Sequence, residues 1–123
     1  MLTMSKVFYN FIDSKWVNSV SGKSFDNINP ANKDESLGAF PRSSGQDVEH
    51  AVQAAKEAFK WWSKVTPPTR GRILFEAGKI IAERKMLLAK TLANEVGKTL
   101  KEGLGEVKAA VDTIQQNLPS GKT

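Results

Sequence analysis

The 123-residue sequence contains no cysteine. That absence excludes disulfides, thiolate metal sites and a cysteine nucleophile from this chain. Histidine occurs once, at His50. With no cysteine or second histidine to join it, His50 has no partner set for a transition metal and is expected to be an exposed, inert side chain. No apolar run reaches about 18 residues, the length a spanning helix needs. Met1 to Tyr9 also lacks the charged, apolar and small-residue order of a secretion signal. The expectations on these grounds are a cytoplasmic location, no membrane partner and no metal residue.

What is present fits one globular domain at most: 40% of residues are hydrophobic and 25% charged. The net charge of +5 is unevenly spread. Residues 1–61 hold seven basic and seven acidic side chains, whereas residues 62–123 hold eleven and six. Because the basic residues of the second half alternate with Glu76, Glu83, Glu95, Glu102 and Glu106, they read as a solvated helical surface rather than a nucleic-acid patch.

The first third reads as strands. Phe11, Ile12, Trp16 and Val17 flank the polar Asp13-Ser14-Lys15, and Ser24 to Asn29 alternates apolar and polar positions through Phe25 and Ile28. A hairpin around Ser21-Gly22 is expected to join these two segments. Pro30 blocks continuation, residues 31–34 supply a turn, and residues 36–40 form a third short strand before Pro41. From Ser44 the period changes to helical. Val48, Ala51, Val52, Ala55, Phe59 and Trp62 share one face, with Ser44 as N-cap and Asp47 favourably placed at the positive end of the helix dipole.

Pro67 and Pro68 close that helix and open a second, whose stripe is Ile73, Leu74, Ala77, Ile80 and Ile81. A third helix runs from about Met86 to Val96 and ends at Gly97, which can take the left-handed conformation. In the fourth, Leu100, Leu104, Val107, Val111, Ile114 and Leu118 make one narrow buried seam until Pro119 and Gly121. The fold class expected is α+β: a strand unit at 7–42, a helical unit at 44–118 and a tail at 119–123.

Motifs with chemical meaning fail on inspection. Gly97-Lys98-Thr99 and Gly121-Lys122-Thr123 look like the end of a phosphate-binding loop, but the glycine required five residues earlier is Leu92 or Gln116. Gly103 and Gly105 start a dinucleotide fingerprint that Lys108 breaks, and they follow a helix cap rather than a strand. Trp61 and Trp62 beside Lys60 and Lys64 suggest a base-stacking platform, yet Trp62 continues the apolar period. It is expected in the core, where truncation to Ala costs about 3–5 kcal/mol. Glu102 and Glu106, one turn apart, are expected to pair with Lys98, Lys101 or Lys108 rather than to act as an acid/base couple.

The order of these segments carries more than any one of them. Phe11-Ile12-Asp13-Ser14-Lys15-Trp16-Val17, Phe25 to Ala31, Asp47-Val48 with Ala51, Ala54, Ala55, Ala58-Phe59 and Trp62, Arg72-Ile73-Leu74, and Glu95-Val96-Gly97-Lys98 together resemble the N-terminal segment of the aldehyde dehydrogenase superfamily. The likeness continues to about Asp112 and departs over residues 114–123, which lack the aromatic-rich stretch of the family; a truncation, a frameshift or a cloned fragment would explain this. The resemblance implies that these elements are part of the α/β dinucleotide-binding domain of a larger fold. It further implies that the complete enzyme oxidises an aldehyde to an acid with NAD or NADP through a cysteine thiohemiacetal.

The residues that perform this chemistry in the family lie beyond the segment, so none is carried over, and no cofactor is expected on this chain. The same analogy puts the fourth helix near the substrate entrance, with Glu106 or Ala109 bordering a tunnel. Three readings follow from the sequence: a catalytically incomplete dehydrogenase segment, inactive alone; an interaction module that binds itself or a dehydrogenase subunit; and, least supported, a basic nucleic-acid binder.

Overall fold

A computed structural model describes residues 6–116. The elements in chain order are β1 (Asn10–Ile12), β2 (Lys15–Val17), β3 (Ser24–Ile28), β4 (Ser36–Pro41), α1 (Gly45–Trp62), α2 (Pro67–Glu83), α3 (Lys85–Val96) and α4 (Leu100–Gln116). The class is α+β, with two antiparallel two-stranded sheets, β1–β2 and β3–β4. The chain divides into two compact units between Lys64 and Val65. The first therefore takes α1 with the strands, whereas the sequence reading drew its line ahead of that helix.

In the first unit, β1 and β2 form a hairpin of their own, with Phe11 opposite Trp16 and Ile12 opposite Lys15. Asp13 and Ser14 make the two-residue turn with φ of 52° and 59°. Two positive φ values give the turn a twist that matches the strands it joins, and Asp tolerates this conformation better than most residues. The expectation of a hairpin at Ser21-Gly22 is thus corrected. Those residues lie in the β2–β3 connection, where the Gly22 amide donates to the Ser19 carbonyl at 2.9 Å, and β3 pairs instead with β4. Asn29 organises the β3–β4 turn: its Nδ2 donates to Glu35 Oε2 at 2.8 Å and its Oδ1 accepts from the Ala31 amide at 2.9 Å.

Gly38 lets a further segment join this sheet. At φ 126° it has a conformation L side chains rarely adopt, and a Cβ there would strike the Lys6 carbonyl and approach the Phe8 ring to 2.8 Å. With only a hydrogen in that space, Lys6–Phe8 runs beside β4, the Phe8 amide donating to the Ala39 carbonyl and the Ala39 amide to the Lys6 carbonyl, both at 2.9 Å. Phe8 then stacks on Phe40 with ring centroids 4.4 Å apart, and Phe40 on Phe25 at 6.0 Å.

In the second unit α4 packs against both α2 and α3. Small residues set the approach: Ala89 is fully buried, Gly103 lies on its backbone, and Gly78 faces Ile114. Gly97 closes α3 in the left-handed conformation, φ 73° and ψ 29°, its amide donating to the Ala93 carbonyl at 2.8 Å. The four helices hold the periods expected of them, and Leu118, Pro119 and Gly121 of the fourth-helix reading fall outside the described residues.

The apolar stripes, however, are mostly uncovered. Among the described residues the buried hydrophobic side chains are Ala89 and Val107, while Phe59, Trp61 and Leu87 remain 65%, 60% and 64% exposed. Trp62, expected in the core, is half-buried. Only part of its surface leaves water, which lowers the expected cost of truncation to about 1–2 kcal/mol. Leu104, Val111 and Ile114 are likewise half-buried beside the buried Val107.

Candidate functional site

Two polar centres are built deliberately enough to examine as sites. The first is Asp47 in the first turn of α1, which is only 4% exposed. Its Oδ2 accepts from the Ser44 amide at 2.7 Å, the carboxylate half of a capping box, and also from the Ser44 hydroxyl at 3.1 Å. Its Oδ1 accepts from the Val20 amide at 2.8 Å. These donors favour the ionised form and hold the carboxyl below its ordinary value of 3.8; the Ser44 amide contributes most, then Val20, against an opposing effect of burial, with the Ser44 hydroxyl and His50 adding to the lowering. Every oxygen is thus occupied by a fixed donor, which suits a structural anchor rather than a group that exchanges protons with a substrate.

The second centre is the α3–α4 corner. Lys98, just past Gly97, reaches along α4 to pair with Glu106. Thr99 and Glu102 cap α4 reciprocally: Glu102 Oε2 accepts from the Thr99 amide at 3.0 Å and hydroxyl at 2.7 Å, and Thr99 Oγ1 accepts from the Glu102 amide at 3.3 Å. The Thr99 hydroxyl, then the Thr99 amide, lower the Glu102 pKa from 4.5, opposed by desolvation and aided by the charge of Lys98. The expected Glu–Lys pairing therefore holds for Glu106, whereas the hydrogen bonds of Glu102 go to Thr99. Gly97-Lys98-Thr99 supplies a helix stop, an ion pair and a helix start, so its lysine and hydroxyl are spent within the fold.

The remaining sequence candidates stay apart. His50 is exposed on α1, and among the described residues no group of three His, Cys, Asp or Glu side chains is placed to hold a metal. Trp61 and Trp62 meet edge to face, with ring centroids 5.7 Å apart at 87°. Lys108 pairs with Asp112 at 2.6 Å. Ala109 is exposed. No helix among the described residues is long and apolar enough to cross a membrane. The Asp47 anchor was half visible in advance: the sequence places it at the helix N-terminus, but the bond to Val20 spans 27 residues and has no local signature.

A common seat for a dinucleotide pyrophosphate is a glycine turn between a strand and a helix in a parallel crossover unit. Among the described residues the named strands β1–β2 and β3–β4 pair antiparallel, and the lysine of the Gly97-Lys98 turn is paired with Glu106.

The fold recurs in known proteins. The structure superposes on an NAD-dependent aldehyde dehydrogenase from Sinorhizobium meliloti with a TM-score of 0.86 and 30% identity, covering 91% of this chain and 23% of that one. In sequence it is 41% identical over 113 residues to malonate-semialdehyde dehydrogenase 1 of Bacillus licheniformis, which is 92% of this chain and 23% of that protein. It is also 41% identical over 103 residues to alpha-ketoglutarate semialdehyde dehydrogenase of Haloferax volcanii, 84% of this chain and 21% of that protein. The signature of the aldehyde dehydrogenase family matches residues 16–122, and the chain belongs to that family. It corresponds to an N-terminal segment and spans less than a quarter of the length of those relatives.

Proposed function

We propose that this chain is the N-terminal structural part of an NAD(P)-dependent aldehyde dehydrogenase, and that the complete protein oxidises a semialdehyde whose far end carries a carboxylate. The observation that carries the reading is the coincidence of sequence and fold over most of the chain, 92% of it in the Bacillus licheniformis relative and 91% in the Sinorhizobium meliloti structure. Malonate and alpha-ketoglutarate semialdehydes, named for two relatives, share an aldehyde and an acid group on one short molecule.

Within that enzyme the segment supplies scaffold rather than chemistry. It has no cysteine to form a thiohemiacetal, and its two polar centres are closed on themselves. Its exposed apolar stripes are the surface through which the remaining part of the protein would hold it. A cytoplasmic location accords with this reading.

The test is an absorbance assay for NADH or NADPH with malonate semialdehyde and other aldehydes. The purified 123-residue chain should give none, while a protein that carries this segment joined to a cofactor domain and a cysteine should give substrate-dependent turnover. Turnover by the chain alone would overturn the structural assignment; a complete protein active only on aldehydes without a carboxylate would overturn the substrate class.

A second reading is favoured by Phe59, Trp61, Ile73 and Leu87, each at least half exposed. Such side chains suit a module that associates with itself or with a dehydrogenase subunit. Light scattering that finds a stable, well-folded monomer without affinity for either would remove it.

A further inference from the structure

Hairpin β1–β2 is undercut on both sides where it meets α1. On one side a cleft of about 250 Å³ is lined by Asn10, Phe11, Ile12, Ser43, Asp47 and Val48 among others. On the other, a cleft of about 560 Å³ runs between Ile12, Lys15 and Val17 of the hairpin and His50, Ala54 and Glu57 of α1. Asp47 borders both clefts. The hairpin therefore touches α1 along a narrow line with a buried carboxylate at its centre, and its outward side chains Phe11 and Trp16 are 59% and 71% exposed.

Two polar ties link this region to the start of α1, one from the hairpin and one from the β2–β3 connection. One is exposed, Asn10 Nδ2 donating to Ser43 Oγ at 2.8 Å. The other is the Val20 amide on Asp47. The connection that carries Val20 is stiffened by its own bonds: the Ser19 hydroxyl donates to the Lys23 carbonyl at 2.9 Å, and the Ser19 amide to Asn18 Oδ1 at 2.8 Å. A connection held in this way, and tied at its far end by the Arg42 amide donating to the Lys23 carbonyl at 2.8 Å, transmits what happens at Val20. Sheet β3–β4 is anchored elsewhere, by its own ladder and by the Lys6–Phe8 segment.

We infer that Asp47 is a positioning residue whose carboxylate clasps the β2–β3 connection to the N-terminus of α1, so that hairpin β1–β2 is a flap released as a unit when that carboxylate is lost or protonated. The two oxygens divide the task. Oδ2 serves the helix cap through Ser44, and Oδ1 serves the flap through Val20. A neutral carboxyl turns one of its oxygens into a hydroxyl and gives up the charge that strengthens both ties, so the Ser44 and Val20 amides are held less firmly together than by the carboxylate. The charged and titratable groups that line the larger cleft with Asp47 are Asp13 and Lys15 from the hairpin and His50 and Glu57 from α1, with Lys23 closing the connection. Protonated His50 reinforces the ionised clasp.

The experiment is amide hydrogen exchange by NMR on the 123-residue chain and its Asp47→Ala and Asp47→Asn variants. In Asp47→Ala the Val20 amide and the β1–β2 ladder amides should exchange at least about tenfold faster, while the β3–β4 amides keep their rates. Asp47→Asn, with a single acceptor left, should fall between. Should Asp47→Ala fail to fold, an acid titration of the unaltered chain decides: the Val20 amide proton shift should follow the Asp47 carboxyl while the Phe25 and Ala39 amides stay flat. Val20 protection unchanged by the loss of Asp47, or protection lost equally in β1–β2 and β3–β4, would overturn the flap.

Discussion

A carbon placed on Gly103 would come within 2.7 Å of the Ala89 carbonyl oxygen, because α4 crosses α3 at a point where neither helix carries a side chain larger than a methyl group. The obstacle is backbone, which has no rotamer to yield. Gly103→Ala should therefore push the helices apart and cost about 1–3 kcal/mol, read as a lower denaturant midpoint. Gly105, two residues on, has open space around its would-be Cβ. Gly105→Ala should stabilise by about 0.4–1 kcal/mol through the unfolded state, and a shift of the same sign in both variants would contradict the packing described.

Acid should act on both units. Asp47 and Glu102 each have a folded-state pKa below the ordinary 3.8 and 4.5. A depressed carboxylate pKa means that the unfolded chain takes up protons first as pH falls. The contribution of each is therefore full above its ordinary value and lost as pH descends below it toward the folded pKa. Melting temperature measured from pH 6 to pH 2 should fall mainly below about pH 4.5, and the fall should be smaller in Glu102→Gln and Asp47→Asn. Equal acid sensitivity in all three proteins would assign the loss to other groups.

The β1–β2 turn should accept better turn residues. Asp13 and Ser14 both hold positive φ, a conformation that Asn-Gly adopts with less strain. The double substitution Asp13→Asn with Ser14→Gly should raise stability by about 0.5–1 kcal/mol and leave the Phe11–Trp16 contact, 4.8 Å between ring centroids, in place. Loss of the associated ring-current shifts, or a lower melting temperature, would show that the turn has been assigned wrongly.

How much of this was legible in the residues depended on the range over which each feature is specified. Helix starts and stops were readable because capping is local: Ser44 with Asp47, Pro67 and Pro68, and Gly97 each act within one turn of the backbone they satisfy. Strand pairing was misread at Ser21-Gly22 because a glycine there advertises a turn as plainly as Asp13-Ser14 does, and only the partner found by β3 distinguishes them. The reach of Asp47 to Val20 and the approach of Gly103 to Ala89 are tertiary facts. Local pattern offers a carboxylate and a glycine at those positions and no hint of what lies opposite. Burial was over-read for the opposite reason. A period marks the face of a helix that is apolar, as at Phe59 and Trp62, without supplying anything to cover it.

That uncovered surface yields the last expectation. With Ala89 and Val107 as the buried hydrophobic residues among those described, the helices receive little of the tertiary packing from which most helical stability comes. Large side chains such as Phe59, Trp61, Ile73 and Leu87 meanwhile stay in water. An isolated 123-residue chain should therefore unfold over a broad, weakly cooperative thermal transition and bind an apolar fluorescent dye such as anilinonaphthalene sulfonate while its far-ultraviolet helix signal is intact. Adding the missing part of a homologous dehydrogenase should suppress the dye signal and sharpen the transition, because area removed from water contributes roughly 25 cal/mol per Å². A sharp transition at high temperature with no dye bound would mean instead that the chain already covers its apolar faces, by self-association if its mass in solution is a multiple of 13.5 kDa.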